Sequence, residues 1–143
     1  MIKASELRIG NYVFDDKGSI QTIEGISRKG SIHEEIRLLY FHGVKEPDFD
    51  RACNSIPLNE ELVLKLGFIE IPDGYWTGRG DKSFRAFQLD GFNLVLNDED
   101  NCFYTWSYCE DEWYSELDIK VESVHDLQNT HHSKYKEEIK IQL

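Results

Sequence analysis

Three consecutive acidic residues, Glu110, Asp111 and Glu112, stand among Trp106, Tyr108, Trp113 and Tyr114. Carboxylates beside aromatic platforms suit two kinds of chemistry. They can bind a sugar and supply an acid–base pair for its hydrolysis. They can also receive Arg and Lys from a protein partner, with the rings anchoring the interface and the charges steering association. The structural account of the same residues is an acidic turn between strands whose aromatics alternate in and out of a core.

A second acidic run, Asn97-Asp98-Glu99-Asp100-Asn101, offers oxygen ligands for Ca²⁺. It lacks the alternating ligands, central Gly and distal Glu of an EF-hand loop, so it reads as a hairpin turn. Residues 75–82 (YWTGRGDK) form a Gly-rich loop in which Arg79, Lys82 and the nearby Arg85 are the one basic cluster of the acidic half. A phosphate cradle would need the GxxxxGK[ST] pattern and a following helix, and neither is present. His33, His42, His125, His131 and His132 show no HExxH and no Cys/His zinc spacing. His125 and His132 lie seven apart and can share a helix face, but a third ligand is lacking. No Ser or Cys sits in a GxSxG context. The sequence therefore leans away from an enzyme, and no metal or cofactor is expected.

Charge narrows the partners. The net charge is −11, and it is unevenly placed. Residues 1–54 carry 8 Lys+Arg against 9 Asp+Glu, residues 55–118 carry 4 against 14, and residues 119–143 carry 4 against 4. Between Arg85 and Lys120 there is neither Lys nor Arg. Such a field repels phosphate backbones and attracts basic partners, so direct nucleic-acid binding is not expected.

The elements that must position these groups are short. The 143 residues, 40% hydrophobic and 13% aromatic, fit one folded domain. No apolar run approaches the roughly 18 residues of a membrane span, and MIKASELRIG has no signal-peptide h-region. Cys53, Cys102 and Cys109 are odd in number and lack CxxC spacing, which fits a reducing compartment. A cytoplasmic location is the expectation.

Residues 55–68 (SIPLNEELVLKLGF) carry helix signals at both ends. Asn59 is an N-cap, Glu60, Glu61 and Lys65 complement the dipole, and Gly67 closes the helix. Leu58 and Val63 have staple spacing, and the run Leu62, Val63, Leu64, Leu66 predicts a helix buried on more than one side. Before it, 1–54 reads as a β meander. Residues 11–14 and 20–23 are joined by a turn at Asp15-Asp16-Lys17-Gly18, a second turn falls at Arg28-Lys29-Gly30-Ser31, and 36–41 is a third strand. An SH3-like barrel is one form this meander can take. Residues 42–54 read as a loop. After the helix, 68–71 is a strand stopped by Pro72-Asp73-Gly74. Residues 84–89, 92–96, 102–108 and 113–121 then form an antiparallel sheet within 69–122. Ser123-Val124-His125-Asp126 has capping-box spacing, predicting a helix with Val124, Leu127 and His131 inward, and a tail to 143.

Three blocks of the sequence together resemble a family of small uncharacterised proteins from Bacteroides-type bacteria and their phages and mobile elements. They are Ser5-Glu6-Leu7-Arg8-Ile9-Gly10-Asn11, then Ile56-Pro57-Leu58 with Leu66-Gly67-Phe68, and finally Val124-His125-Asp126-Leu127-Gln128-Asn129. The resemblance implies a bacterial cytoplasmic protein and no particular activity. The chain departs from the family pattern after Asn129, where an apolar helical stretch is replaced by Thr130-His131-His132-Ser133-Lys134.

The expected fold is α+β, mostly antiparallel, with a central helix and a C-terminal helix. The leading functional expectation is an interaction module of a bacterial or prophage system. It would bind a basic protein through Trp106, Tyr108, Glu110, Asp111, Glu112, Trp113 and Tyr114, with nucleic-acid mimicry as one form, and would act as a monomer or homodimer. The alternative is a saccharide or nucleotide binder, or a hydrolase, built on a Trp/carboxylate pocket.

Overall fold

The computed structural model describes residues 2, 6–29, 36–46, 48–49, 53–76, 83–109 and 114–140. At 28–29, 36–38, 48–49, 73–76, 83, 107–109 and 114–116 the description covers the backbone alone. The fold is α+β, and the described residues form antiparallel strands in two sheets and two helices. The chain packs as two compact units, Met1–Pro57 with Ser123–Glu138, and Leu58–Glu122 with Ile139–Leu143.

In the first unit the strands are β1 (Tyr12–Phe14), β2 (Ile20–Lys29), β3 (Ile36–Phe41) and β4 (Asp48–Phe49), in the order β1-β2-β3-β4. Asp15 closes the first hairpin, its Oδ1 accepting the N–H of Lys17 (2.9 Å) and of Ser19 (2.8 Å). The expected turn at Arg28 and Lys29 is instead the end of β2, paired to Arg37 and Ile36. Gly25 does not break the strand, because the Tyr40 ring lies over it at 3.4 Å from where a Cβ would stand, so the neighbour covers the bare backbone. The barrel option is not realised: among the described residues the sheet stays open, with β1 and β4 at its edges. Residues 42–54 are not all loop, since β4 pairs with β3 and Asn54 bridges to Phe14. Ile2, Leu7, Val13, Ile23, Leu39, Phe41 and Cys53 make the core. Helix α2 (Val124–Tyr135) completes the unit, with the Ser123 side chain accepting from Asp126 N–H and the Asp126 side chain accepting from Ser123 N–H. The helix runs through the polar 130–134 stretch, burying Val124, His125, Leu127, Gln128 and His131.

The second unit begins with α1 (Glu60–Lys65). Asn59 Oδ1 accepts from Leu62 N–H at 2.9 Å. At the other end Gly67 (φ 94°) gives its N–H to Leu64 O, and Phe68 gives its N–H to Val63 O, a Schellman closure. The helix is buried on one side only: Val63 and Leu66 are buried, but Leu64 is 46% exposed. Six residues are too few turns to wrap in apolar neighbours on two faces.

The sheet follows as β5 (Ile69–Trp76), β6 (Ser83–Leu89), β7 (Phe92–Asn97), β8 (Cys102–Cys109) and β9 (Tyr114–Val121), paired in sequence order. Pro72-Asp73-Gly74 does not stop β5. It is absorbed where the register shifts between Ile71 and Tyr75, on an edge strand where a missing N–H costs no ladder bond. Asp90 (φ 45°) and Gly91 (φ 86°) make the two-residue turn between β6 and β7. One sheet face carries the buried Phe87, Leu94, Phe103 and Val121, with Phe87 and Phe103 edge-on at 5.7 Å and Phe68 meeting Phe92 at 6.2 Å. Arg85 ties α1 to the same face, donating to Glu60 (2.6 and 3.0 Å) and to Glu70 (2.8 Å).

Pro57 and Ser123 form an antiparallel bridge, and Val124 N–H donates to Ile56 O at 2.9 Å. Just beyond, Leu58 N–H donates to Glu122 O at 3.0 Å. The chain thus leaves the first unit and returns to it through a two-stranded neck.

Candidate functional site

Trp106 lies on the sheet face opposite Phe87. At the centre of that face are two smaller side chains, Ala86 and Val95, in register with each other and fully buried. Their burial comes from large neighbours leaning over them. The rings of Phe84 and Trp106 meet at 5.8 Å between centroids, tilted by 59°, and Ile71, Tyr104 and Leu117 pack around them. Trp106 is half-buried against this cluster. This is an aromatic roof over a small-residue floor. Burying an aromatic side chain stabilises a fold by roughly 1.5–3 kcal/mol, so the roof contributes to the fold as well as offering a surface.

The polar edge of the roof is set by its neighbours. The Tyr104 hydroxyl donates to the Asp100 carboxylate, which holds that carboxyl below its ordinary value and pushes the phenol above its own. Lys120, opposite Tyr104 in β9, donates to Glu122 at 3.1 Å, and that bond raises the ammonium pKa.

Of the other expected site residues, Tyr108 pairs with Ser115 and Tyr114 with Cys109, so both lie where β8 and β9 approach their connection. Glu110, Asp111, Glu112 and Trp113 lie outside the described residues, as do Arg79 and Lys82 of the Gly-rich loop. Arg85, the third member of that basic cluster, is committed to Glu60 and Glu70, which raise its pKa, and is drawn against the Phe87 ring at 5.6 Å. A guanidinium so occupied is a poor phosphate ligand. The 97–101 run is a turn, as its composition predicts: Asn97 Oδ1 accepts Glu99 N–H at 3.1 Å, and Asp100 Oδ1 accepts Cys102 N–H at 3.0 Å. Among the described residues, no group of three or more His, Cys, Asp and Glu is placed to hold a metal ion.

Charge follows the division into units. Leu58–Glu122 with Ile139–Leu143 holds 6 basic and 15 acidic residues, a net −9, and the remainder holds 10 and 12, a net −2. Three cations of the acidic unit are already paired within it: Lys65 to Glu61 at 2.7 Å, Arg85 to Glu60 and Glu70, and Lys120 to Glu122. The 97–101 run lies at the start of β8, whose other end is Cys109; residues 110–113 lie outside the described residues.

In the first unit, sequence reasoning missed a polar network. Gln128 is fully buried, accepting Tyr12 N–H at 2.8 Å and donating to Gly10 O at 2.9 Å. Asn129 Oδ1 accepts from Asn11 Nδ2 at 2.9 Å and from Arg8 Nε at 3.2 Å, and its Nδ2 donates to Glu6 O at 2.7 Å. Arg8 also pairs with Glu138. The first and last of the three sequence blocks are therefore bonded to each other, and Ile56 and Pro57 of the middle block meet Ser123 and Val124 beside them. The blocks knit the ends of the chain together. The only local signal was two adjacent amides on a helix.

Ser123, His125 and Asp126 also come together, and resemble a nucleophile, base and acid. Ser123 Oγ lies 3.0 Å from His125 Nδ1, and His125 Nε2 lies 3.6 Å from Asp126 Oδ1. The hydroxyl is buried and occupied as a helix cap, so it presents no nucleophile. Among the described residues, no helix is long and apolar enough to cross a membrane. No family model, curated protein or solved structure matches the chain.

Proposed function

We propose that this chain is a non-enzymatic interaction module of a bacterial or prophage system whose second unit engages a basic protein surface. The observation that supports this reading is the net −9 of that unit, with Lys65, Arg85 and Lys120 paired internally. A field of one sign steers oppositely charged partners and raises their association rate. The half-buried Trp106 roof and the residues toward Tyr108 and Tyr114 supply the apolar contact, and Glu110, Asp111 and Glu112 supply charge at the end of β8. Occupation of a host protein's nucleic-acid site is one form of this function. The resemblance of the three sequence blocks to small proteins of Bacteroides-type bacteria and their mobile elements supports the bacterial setting.

The test is affinity capture from bacterial lysate at low and high salt, beside the variant Glu110→Gln/Asp111→Asn/Glu112→Gln. The reading expects a captured basic protein whose binding weakens with salt and is lost in the variant. Capture unaffected by either change would sink it.

A further inference from the structure

His125 is buried at 2% exposure in the first turn of α2, beside the neck. The capping hydroxyl of Ser123 accepts the Asp126 N–H at 3.2 Å and lies 3.0 Å from His125 Nδ1, to which its own proton can be donated. In that arrangement the ring is neutral, with its hydrogen on Nε2. The acidic groups facing it are Asp126 from its own helix and Glu6 from the N-terminal segment, while Ile56 and Pro57 bring no titratable group. Asp126 is 3.6 Å away, beyond hydrogen-bond length, and its other oxygen is engaged by Ser123 N–H at 3.2 Å.

A second proton on this ring meets three obstacles. Burial removes the water that would solvate the cation. The N–H groups of the helix's first turn present their positive end to it. Nδ1, turned from acceptor to donor, would point its hydrogen at the hydroxyl's hydrogen, and Ser123 Oγ would have to rotate. Burial is the largest cause, and it holds the imidazole below its ordinary 6.5 against the pull of Asp126 and Glu6.

We propose that His125 is an acid-sensitive latch on the neck: taking a proton on Nδ1 undoes its bond with Ser123 and loosens the pairing of Ile56–Pro57 with Ser123–Val124. Because the folded-state affinity for the proton is lowered, the latch's contribution is whole above the ordinary value of 6.5 and is lost as pH falls through the folded-state value. The affected bonds are those at the root of α2, so the response is local: Val124 N–H to Ile56 O opens, whereas Ile23 N–H to Asn11 O, inside the sheet of the same unit, holds.

Amide exchange on the full chain, corrected for the intrinsic pH dependence of the rates, tests this between about pH 7 and pH 5. Protection at Val124 should fall with pH while protection at Ile23 does not, and in His125→Gln, which cannot be protonated, Val124 protection should be flat. NMR titration of the wild-type imidazoles should place His125 below 6.5, and it decides the matter even where the variant does not fold. The latch is overturned if His125 titrates at the ordinary value, if Val124 protection is constant in wild type, or if His125→Gln shows the wild-type fall.

Discussion

Replacing Gln128 by Leu asks how much the buried amide network holds. The side chain is fully buried and bonds to Tyr12 N–H at 2.8 Å and to Gly10 O at 2.9 Å. Leucine fits the space but leaves one donor and one acceptor unpaired. A fully buried polar group left unsatisfied costs about 1–3 kcal/mol. Tyr12 and Gly10 are only half-buried, so the low end applies to each and the pair should cost about 2–4 kcal/mol. The more apolar side chain returns roughly 1 kcal/mol, leaving a net loss of about 1–3 kcal/mol. The assay must report on the first unit alone. All three tryptophans, Trp76, Trp106 and Trp113, belong to the second unit, so indole fluorescence would miss the effect. Exchange at the Tyr12 and Ile23 amides would register it. A Gln128→Leu protein as stable as wild type at Ile23 would refute the idea that the network anchors α2 to β1. Asn11→Ala, made alone and with Gln128→Leu, should give non-additive losses because both amides serve the same junction.

Three further outcomes follow from the second unit and from the carboxylates. Gly67→Ala forces φ 94° on a residue with a Cβ and should cost about 1–2 kcal/mol in a tryptophan-monitored urea melt, where an unchanged midpoint would contradict the Schellman closure. Arg85→Gln removes exposed ion pairs to Glu60 and Glu70, so its cost should stay under about 1 kcal/mol and shrink as salt is raised; a large, salt-independent loss would show that Arg85 acts through packing on Phe87 instead. Asp15, Glu60, Glu61 and Asp100 are held below their ordinary values of 3.8 and 4.5, mainly by hydrogen bonds from Gln21, Arg85, Lys65 and Tyr104 respectively. Their contribution is therefore present above those values and lost as pH falls through the lower folded-state values, which a plot of Tm against pH should show as a decline at acid pH.

Local signals in the sequence were accurate where one turn of chain decides the outcome. Asn59, Gly67 and the Ser123–Asp126 capping box each act within a few residues, and Ile36–Phe41 formed with the bounds its apolar run predicts. Errors arose where a distant neighbour overrides local preference. Arg28 and Lys29 stay in β2 because they pair with Arg37 and Ile36 of β3, and Pro72 stays in β5 because that strand is an edge. Leu64 is exposed because burial of a six-residue helix is set by what packs on it. Gln128 bonds to residues more than a hundred positions away, and no periodicity announces that. For the candidate site, the charge imbalance was legible by counting. That Trp106 and Phe84 close over Ala86 and Val95 was not, because it depends on a diagonal contact between β6 and β8.

The eight residues of β8 work as a ruler from the acidic turn at its start to Cys109 at its far end. At about 3.3 Å per residue, the gap is on the order of 25 Å. A single basic side chain cannot serve both ends, nor can a compact basic cluster. A partner that uses both must carry two positive groups at that separation, held by a rigid surface or by an extended segment of similar length. Binding would then be bivalent, with the second contact gaining from the effective concentration set by the first. Shortening the span between the partner's two basic groups would abolish that gain while leaving its total charge unchanged.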